Sequence, residues 1–475
     1  MLKSAKLYND KGMILMQKKI ISVLLILTVL LSMVISFSSC GEKETEIQRY
    51  NVDTEVLRVG IMSDNQLQQE GSSEKYSDFL RKGLELFKEK DVDMLVNAGD
   101  FTDQATEEAY QNYKNIFDSV YSDGESPITS MIMGNHDYWL PMFVDCWEIP
   151  FKSKMRNRFM EYTGETSPWT HKVINGYHFI GCSPTSGDMD DSAYEKKIDW
   201  LKSQIESAIK EDPNKPVFVF THSNPIGTVN NKDYGCTNLN ELFSNYPQVV
   251  SISGHTHASL MSESSIWQGD YTALSTQCLS YVAFDKGDVI QEDGIFDEDN
   301  PIELIMEIEN DKITIRRYNI LTGEEVKDPW IINLPINKDT FVYTDENRKA
   351  ESVSPTWNEG WKAEISSDEN GVWLSFPAAV HPDLVEMYKL EFIDASGKKV
   401  VFTKGDEENP VEEDFITCVS DYTKLPEERS ETVKINLKDF IGENGLKEGE
   451  KYTVSVSAAG TFSEFSEAKI GEIVL

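Results

Sequence analysis

Five short polar segments of this chain carry donors that bind metal ions. They are Ser63-Asp64-Asn65-Gln66, Gly99-Asp100-Phe101-Thr102-Asp103, Gly134-Asn135-His136-Asp137, Thr221-His222-Ser223-Asn224-Pro225 and Gly254-His255-Thr256-His257. Four of the seven histidines fall inside them. Carboxylate and amide oxygens mixed with imidazoles are the donor set that Zn²⁺, Mn²⁺ and Fe prefer. The His-Thr-His run can aim both rings at one cleft if Thr256 turns the other way. Glycines at 99, 134 and 254 allow tight turns and a close approach of backbone to the donors. Singly, Asp64 and Asp100 read as helix or turn caps, and His136 as a surface or hydrogen-bonded core histidine. The ordered set is what points to a metal centre.

Each segment follows a predicted strand, at residues 56–62, 94–98, 128–133, 217–220 and 249–252. Between the first two, Phe79, Leu80, Leu84 and Phe87 share one face of a helix predicted over 76–88. Further helices are predicted at 107–121 and 195–209. Residues 171–182 read as a hairpin around Asn175-Gly176, and 302–320 as another around Asn310-Asp311. The stretch 138–168, rich in aromatics and Met without periodicity, reads as an insertion near the site mouth. The expected class is α/β: a layered sheet with helices outside and antiparallel additions. Its donors lie past the C-terminal ends of strands, where open α/β sheets carry their sites. After about residue 345 the helical pattern stops. Seven β-rich segments, at 363–365, 372–376, 388–393, 400–402, 415–419, 433–437 and 452–458, predict an all-β, immunoglobulin-like sandwich.

The ordered motifs, covering roughly 56–320, strongly resemble those of the calcineurin-like metallophosphoesterase superfamily. The resemblance implies a mixed β-sandwich flanked by helices and two divalent ions, Mn, Zn or Fe. Asp64, Gln66, Asp100 and His257 would hold one ion. Asp100, Asn135, His222 and His255 would hold the other, with Asp100 bridging. His136 would be the general acid or a hydrogen-bond donor to the transition state, and Asp103 and Asp137 would orient rings or waters. Gln66 departs from the family pattern, which usually has His there. An amide oxygen is a harder, weaker ligand than imidazole, so this site is expected to favour Mn²⁺ or to bind less tightly. The implied reaction is hydrolysis of a small phosphodiester or phosphomonoester by a hydroxide activated between two metals. The alternative is a surface-anchored binding protein whose weakened metal site turns over little or not at all. Leu446-x-x-Gly449-x-x-Tyr452, followed by Val454 and Val456, resembles the tyrosine corner of fibronectin type III domains. That module would bind cell-surface glycan or protein.

The chain has 475 residues, 40% of them hydrophobic, enough for two or three packed cores. Its formal charge of −36 argues against nucleic-acid polymers and anionic membrane surfaces as partners. Lys18 and Lys19 precede an apolar run over 20–37, followed by Ser38-Ser39-Cys40, the pattern of a secretory signal. Phe37-Ser38-Ser39-Cys40 resembles a bacterial lipobox, with Phe37 in place of the usual Leu, and implies lipidation of Cys40. Losing residues 1–39 would take the charge to −40. The expected organisation is a signal over 1–40, an acidic tether over 41–54, a catalytic domain over 55–340 and a β-sandwich over 345–475. The expected location is the cell envelope, lipid-anchored outside the cytoplasmic membrane or at the outer membrane; plain secretion or a retained anchor is the alternative. Five cysteines besides Cys40, without CxxC spacing, argue against a disulfide framework or a Cys-based zinc site. His171, His178 and His381 lie outside the motifs and read as structural. Gly187-Asp188-Met189-Asp190-Asp191 reads as a solvated acidic loop. Tyr138, Trp139 and Trp147 read as substrate-stacking or packing residues.

Overall fold

The computed structural model describes residues 46–475 apart from Glu70, 141–143, 146–148, Asn231, 285–286, 291–295, 405–410, 443–444 and Ser463. The signal, its lipobox and Trp147 lie outside the described residues. Strand and helix periodicity decide the layers. Up to residue 351 the main elements are β1 (Gln48–Tyr50), β2 (Leu57–Met62), α1 (Glu74–Glu89), β3 (Met94–Asn97), α2 (Glu107–Val120), β4 (Ile128–Met131), α3 (Ile149–Thr163), β5 (Trp169–Ile174), β6 (Tyr177–Cys182), α4 (Ile198–Glu211), β7 (Val217–Thr221), α5 (Thr237–Phe243), β8 (Val249–Ser253), β9 (Ile266–Gln268), β10 (Thr272–Ser275), β11 (Val289–Ile290), β12 (Ile302–Ile308), β13 (Lys312–Asn319), β14 (Trp330–Asn333) and α6 (Asp345–Glu351). One sheet has six strands in the order β14-β13-β12-β2-β3-β4, and a second has seven in the order β1-β5-β6-β7-β8-β10-β9. Their facing sides interdigitate: Val59, Ile61 and Val96 pack in one apolar core with Phe179, Phe218, Phe220 and Ile252. The outer face of the first sheet is covered by α1 and α2 through Leu80, Leu84, Phe87 and Tyr113. The outer face of the second is covered by α4 and α5 through Leu201, Ile205 and Leu239. This is the expected α/β architecture, two mixed sheets sandwiched between helices.

The rest is all-β, with β15 (Glu364–Asp368), β16 (Gly371–Pro377), β17 (Met387–Asp394), β18 (Ile416–Val419), β19 (Thr432–Asn436), β20 (Lys451–Ala459) and β21 (Lys469–Val474). A five-stranded sheet, β11-β18-β17-β20-β21, packs on a three-stranded one, β15-β16-β19, around Leu374, Phe376, Leu390, Ile435, Val454 and Val456. Lys447 N donates to the Tyr452 hydroxyl at 3.0 Å, the backbone tie that a tyrosine corner makes.

Several elements differ from the sequence reading. The aperiodic stretch contains helix α3, whose Met155 and Phe159 are buried one turn apart while Phe151 is 43% exposed. Within the expected tether, Gln48–Tyr50 forms an edge strand, paired in parallel with β5 from Gln48↔Lys172. Helix α6 lies where helical structure was expected to have ended. Strand β11 crosses the expected boundary and pairs with β18 through Val289↔Cys418. Accordingly, Ile47–Leu475 packs as one compact unit. Among the described residues no helix is long and apolar enough to cross a membrane, and Cys182, Cys236, Cys278 and Cys418 are free and buried.

Candidate metal centre

Parallel pairing of β2, β3 and β4 sets three donor loops side by side. Parallel pairing of β7 with β8 brings two more from the other sheet. Backbone hydrogen bonds lock the loops together: Asp64 N donates to Gly99 O at 2.8 Å, Gln66 N to Asp100 O at 3.0 Å and Gly254 N to His222 O at 3.0 Å. The chain bends sharply at five of the seven donors. Asp64, Gln66, Asp100, His255 and His257 all have positive φ, between 43° and 70°. Left-handed backbone costs an L-residue about 1–2 kcal/mol, least for Asp, and such strain clusters at functional sites. The expectation for glycine also holds. A Cβ at Gly134 would lie 2.0 Å from Asp100 Oδ1, and one at Gly254 would lie 2.4 Å from Asp64 Oδ2.

The bends converge on one pocket. Donor atoms of Asp64, Asp100 and His257 lie within 4.8 Å of one another, as do those of Asp100, His222 and His255. Asp100 belongs to both sets. Asn135 Oδ1 is 3.0 Å from His222 Nε2, and the Gln66 amide nitrogen as placed is 3.4 Å from His257 Nε2. All seven expected ligands are therefore brought together, with Gln66 beside His257 and Asn135 beside His222. His222 Nδ1 donates to Ala98 O at 2.9 Å, which leaves Nε2 to face Asp100 Oδ2 at 3.2 Å.

Electrostatics make the pocket suited to cations. Asp64 and Asp100 are fully buried, and no lysine or arginine is among the main charges acting on either. Burial alone would push both carboxyls up. The imidazoles of His222 and His257 beside Asp64, and of His222 and His136 beside Asp100, outweigh it and hold both below the usual range. Burial opposes a charge on His222 too, yet Asp100 and then Asp64 raise it to about 9. Burial, then His222, push His255 down to about 3. Two buried carboxylates thus draw a proton onto a neighbouring imidazole, the position of charge that a metal ion takes when it displaces that proton. Asp100 Oδ2 is buried and makes no aligned hydrogen bond; it is ion-paired with His222 Nε2 at 3.2 Å. A cation shared by the two donor sets would take over the charge of that imidazole.

His136 stands at the rim, with its side chain 14% exposed and Nε2 3.9 Å from Asp100 Oδ2. Its backbone N–H donates to Asp100 Oδ1 at 2.9 Å. Its Nδ1 lies 2.8 Å from the Asp103 carbonyl, and Trp139 packs against the ring at 4.1 Å between centroids. Asp103 thus orients His136 mainly through its backbone. Asp137 braces backbone and hydroxyl groups: it accepts from Gly134 N at 2.9 Å, Phe101 N at 3.3 Å and Tyr110 OH at 2.7 Å. Tyr138 is a core residue. Asp190 and Asp191 accept from Ser192 N and Asn238 N, as turn and cap residues do. His171 and His178 form a buried hydrogen-bonded pair at 2.8 Å, and His381 is tied to Val353 O, all three away from the centre.

Two aromatic residues were not singled out from the sequence. The Tyr234 hydroxyl contacts His255 Nε2 at 2.5 Å, and its ring stacks on that imidazole at 5.5 Å between centroids. Tyr281 lies against His257 at 4.5 Å. Both reach the site from irregular segments, where no spacing marks them.

Residues 57–259 match the family model described as calcineurin-like phosphoesterase. No curated protein matches the chain by sequence. Among solved structures, a dimetal phosphatase from Danio rerio is similar at 10% identity and a TM-score of 0.40, over 59% of this chain and 99% of that one. A purple acid phosphatase from yellow lupin (Lupinus luteus) seeds is similar at 11% identity and a TM-score of 0.42, over 60% of this chain and 55% of that one. With the five donor segments on their strand ends, the region spanning residues 57–259 is a calcineurin-like phosphoesterase domain.

Proposed function

We propose that this chain is a metal-dependent phosphoester hydrolase acting outside the cytoplasm. The observation that carries the reading is Asp100, fully buried and shared by two donor sets. Asp64, Gln66, Asp100 and His257 would hold one divalent ion, and Asp100, Asn135, His222 and His255 the other. Bound there, the ions would supply Lewis-acid stabilisation of phosphoryl oxygens and acidify a water. The protein positions His136 for the leaving group. Its Nδ1 is committed to the Asp103 carbonyl, so Nε2, on the Asp100 side of the ring, would hand a proton to the departing alkoxide or donate a hydrogen bond to the phosphoryl group. Trp139 restricts the ring to that orientation.

We favour a phosphodiester over a phosphomonoester. Among the described residues no lysine or arginine ion-pairs with the donor cluster, and the Asp103 carboxylate lies 3.7 Å from His136 Nδ1. A singly charged diester meets less repulsion there than a doubly charged monoester. We also propose anchoring through a lipid on Cys40, and a fibronectin type III-like role for the C-terminal sandwich in contacting surface glycan or protein. The test is hydrolysis of bis(4-nitrophenyl) phosphate and 4-nitrophenyl phosphate with added Mn²⁺. Turnover that disappears with chelator and is faster on the diester is expected. Bound metal without turnover on either ester would instead make the chain a binding protein.

A further inference from the structure

Helix α6 and the turn after β20 enclose a cavity of about 400 Å³, within the range of small-molecule sites. The Arg348 side chain enters it from α6, and the residue is only 9% exposed. Its Nη2 is buried with no hydrogen-bond partner, and so is the Thr461 hydroxyl on the same wall. The guanidinium carbon is held 5.5 Å from the Tyr343 ring centroid and 5.0 Å from that of Phe462. Two carboxylates of the lining, Glu263 and Asp383, are engaged elsewhere. Glu263 pairs with Arg317 and Lys327, each at 2.9 Å, and with the Trp330 indole; Asp383 pairs with Lys327. An unpaired buried cation is costly, and burial pushes Arg348 down to about 10 against the pull of Glu263. The natural complement is an anion that enters from solvent.

The walls select its chemistry. A guanidinium fork fits a carboxylate or a phosphate. Glu351 and Glu464 also face the cavity, and neither makes an ion pair among the described residues, so a dianion would meet repulsion that a monoanion largely escapes. Val342 and Val353, 44% and 49% exposed, line the cavity with Pro382 and offer apolar surface to an organic body. We infer that this cavity is a binding site for a small monocarboxylate, its carboxylate on Arg348 and Thr461 and its apolar body against Val342, Val353 and Pro382.

Calorimetry on the full chain with sodium 4-methylpentanoate tests this, beside 4-methylpentan-1-ol and inorganic phosphate. Saturable binding of the carboxylate is expected, weakened at least about tenfold in Arg348→Lys, which loses the fork, and lost in Arg348→Met. Val353→Asp, at an exposed wall position that leaves the core intact, should also weaken it about tenfold or more. Phosphoesterase activity should be unchanged in all three variants, since none lies at the metal centre. Equal binding to wild type and Arg348→Met would overturn the inference. So would equal affinity for the alcohol, or an Arg348-dependent affinity greater for phosphate than for the carboxylate.

Discussion

The two halves of this molecule handle backbone strain and buried charge in opposite ways. All eight described non-glycine residues with positive φ precede residue 258, and five of them are candidate metal ligands. From β15 onward, positive φ occurs only at glycine among the described residues. Up to residue 345 the buried set includes Asp64, Asp100, Asp137, Glu165, Lys172, His222, Glu303 and Arg317. Among the described residues of the sandwich strands and their connections, the buried polar ones are Ser420, Thr423 and Ser466. The sandwich shows what the chain does when packing alone is at stake: alternate inward residues such as Leu390, Phe392, Val454 and Val456, with polar residues between them. The strand ends of the α/β half keep left-handed turns and fully buried carboxylates, which packing alone would not retain. That contrast marks the site of chemistry better than any single motif does.

The contrast can be broken by substitution. Asp100→Asn removes the anionic ligand common to both donor sets. Losing several kcal/mol of charge stabilisation corresponds to about 10³-fold or more in turnover, and metal content should fall from two equivalents to one or fewer by elemental analysis. Full occupancy with normal turnover would show that Asp100 is not shared. His136→Ala should keep both metals and slow alkyl esters by about 10²–10⁴-fold, the range for a general acid. Aryl esters, whose leaving groups need no proton, should slow far less. Equal slowing would mean that His136 stabilises the phosphoryl oxygens and donates no proton, and loss of metal would make it a ligand or a brace.

In the sandwich, Leu390→Ala should behave as an ordinary core deletion. A destabilisation of about 2–5 kcal/mol, seen in denaturant unfolding, should leave metal content intact. If the metals leave with it, the two halves are coupled more tightly than the contrast implies.

The smallest effect concerns Glu303, whose two carboxylate oxygens are buried without partners and whose carboxyl burial pushes well above the usual range. A carboxyl raised in the folded state favours folding fully only below its unfolded value of about 4.3, and this contribution is lost as pH rises toward the folded value. Glu303→Gln removes that titration. It should be more stable than the parent by about 1–3 kcal/mol at pH 8, with the gap narrowing toward pH 5. A gap that does not change with pH would mean that Glu303 is ionised in the folded protein.

Much of this was legible because the relevant patterns are local. The five polar segments at strand ends, and the family resemblance they carry, singled out the seven residues that the folded chain brings together. Short β-rich runs between turn residues marked six strands of the sandwich; the seventh, expected at 400–402, meets a strand at Phe402–Lys404 that pairs with Val411–Glu413 in a separate two-stranded ribbon. Helix α3 was missed because Phe151, Met155 and Phe159 alternate with Lys152, Lys154, Arg156 and Arg158, and only part of that apolar set is buried. Strand β21 was missed because Ile470 and Val474, 62% and 58% exposed, lie on a sheet edge where one side needs no apolar face. Tyr234 and Tyr281 gave no signal, since their roles exist only once distant loops meet. The pairing of β11 with the sandwich is likewise tertiary: Asp288 accepts from the Thr417 backbone N–H at 2.7 Å, and neither residue is unusual in its own segment.

The most direct test of the central claim is anomalous diffraction from Mn²⁺-soaked crystals of the wild-type chain. Two peaks should appear, one on either side of Asp100, the first bounded by Asp64, Gln66 and His257 and the second by Asn135, His222 and His255. A single peak, or peaks that leave Asp100 uncoordinated, would contradict it.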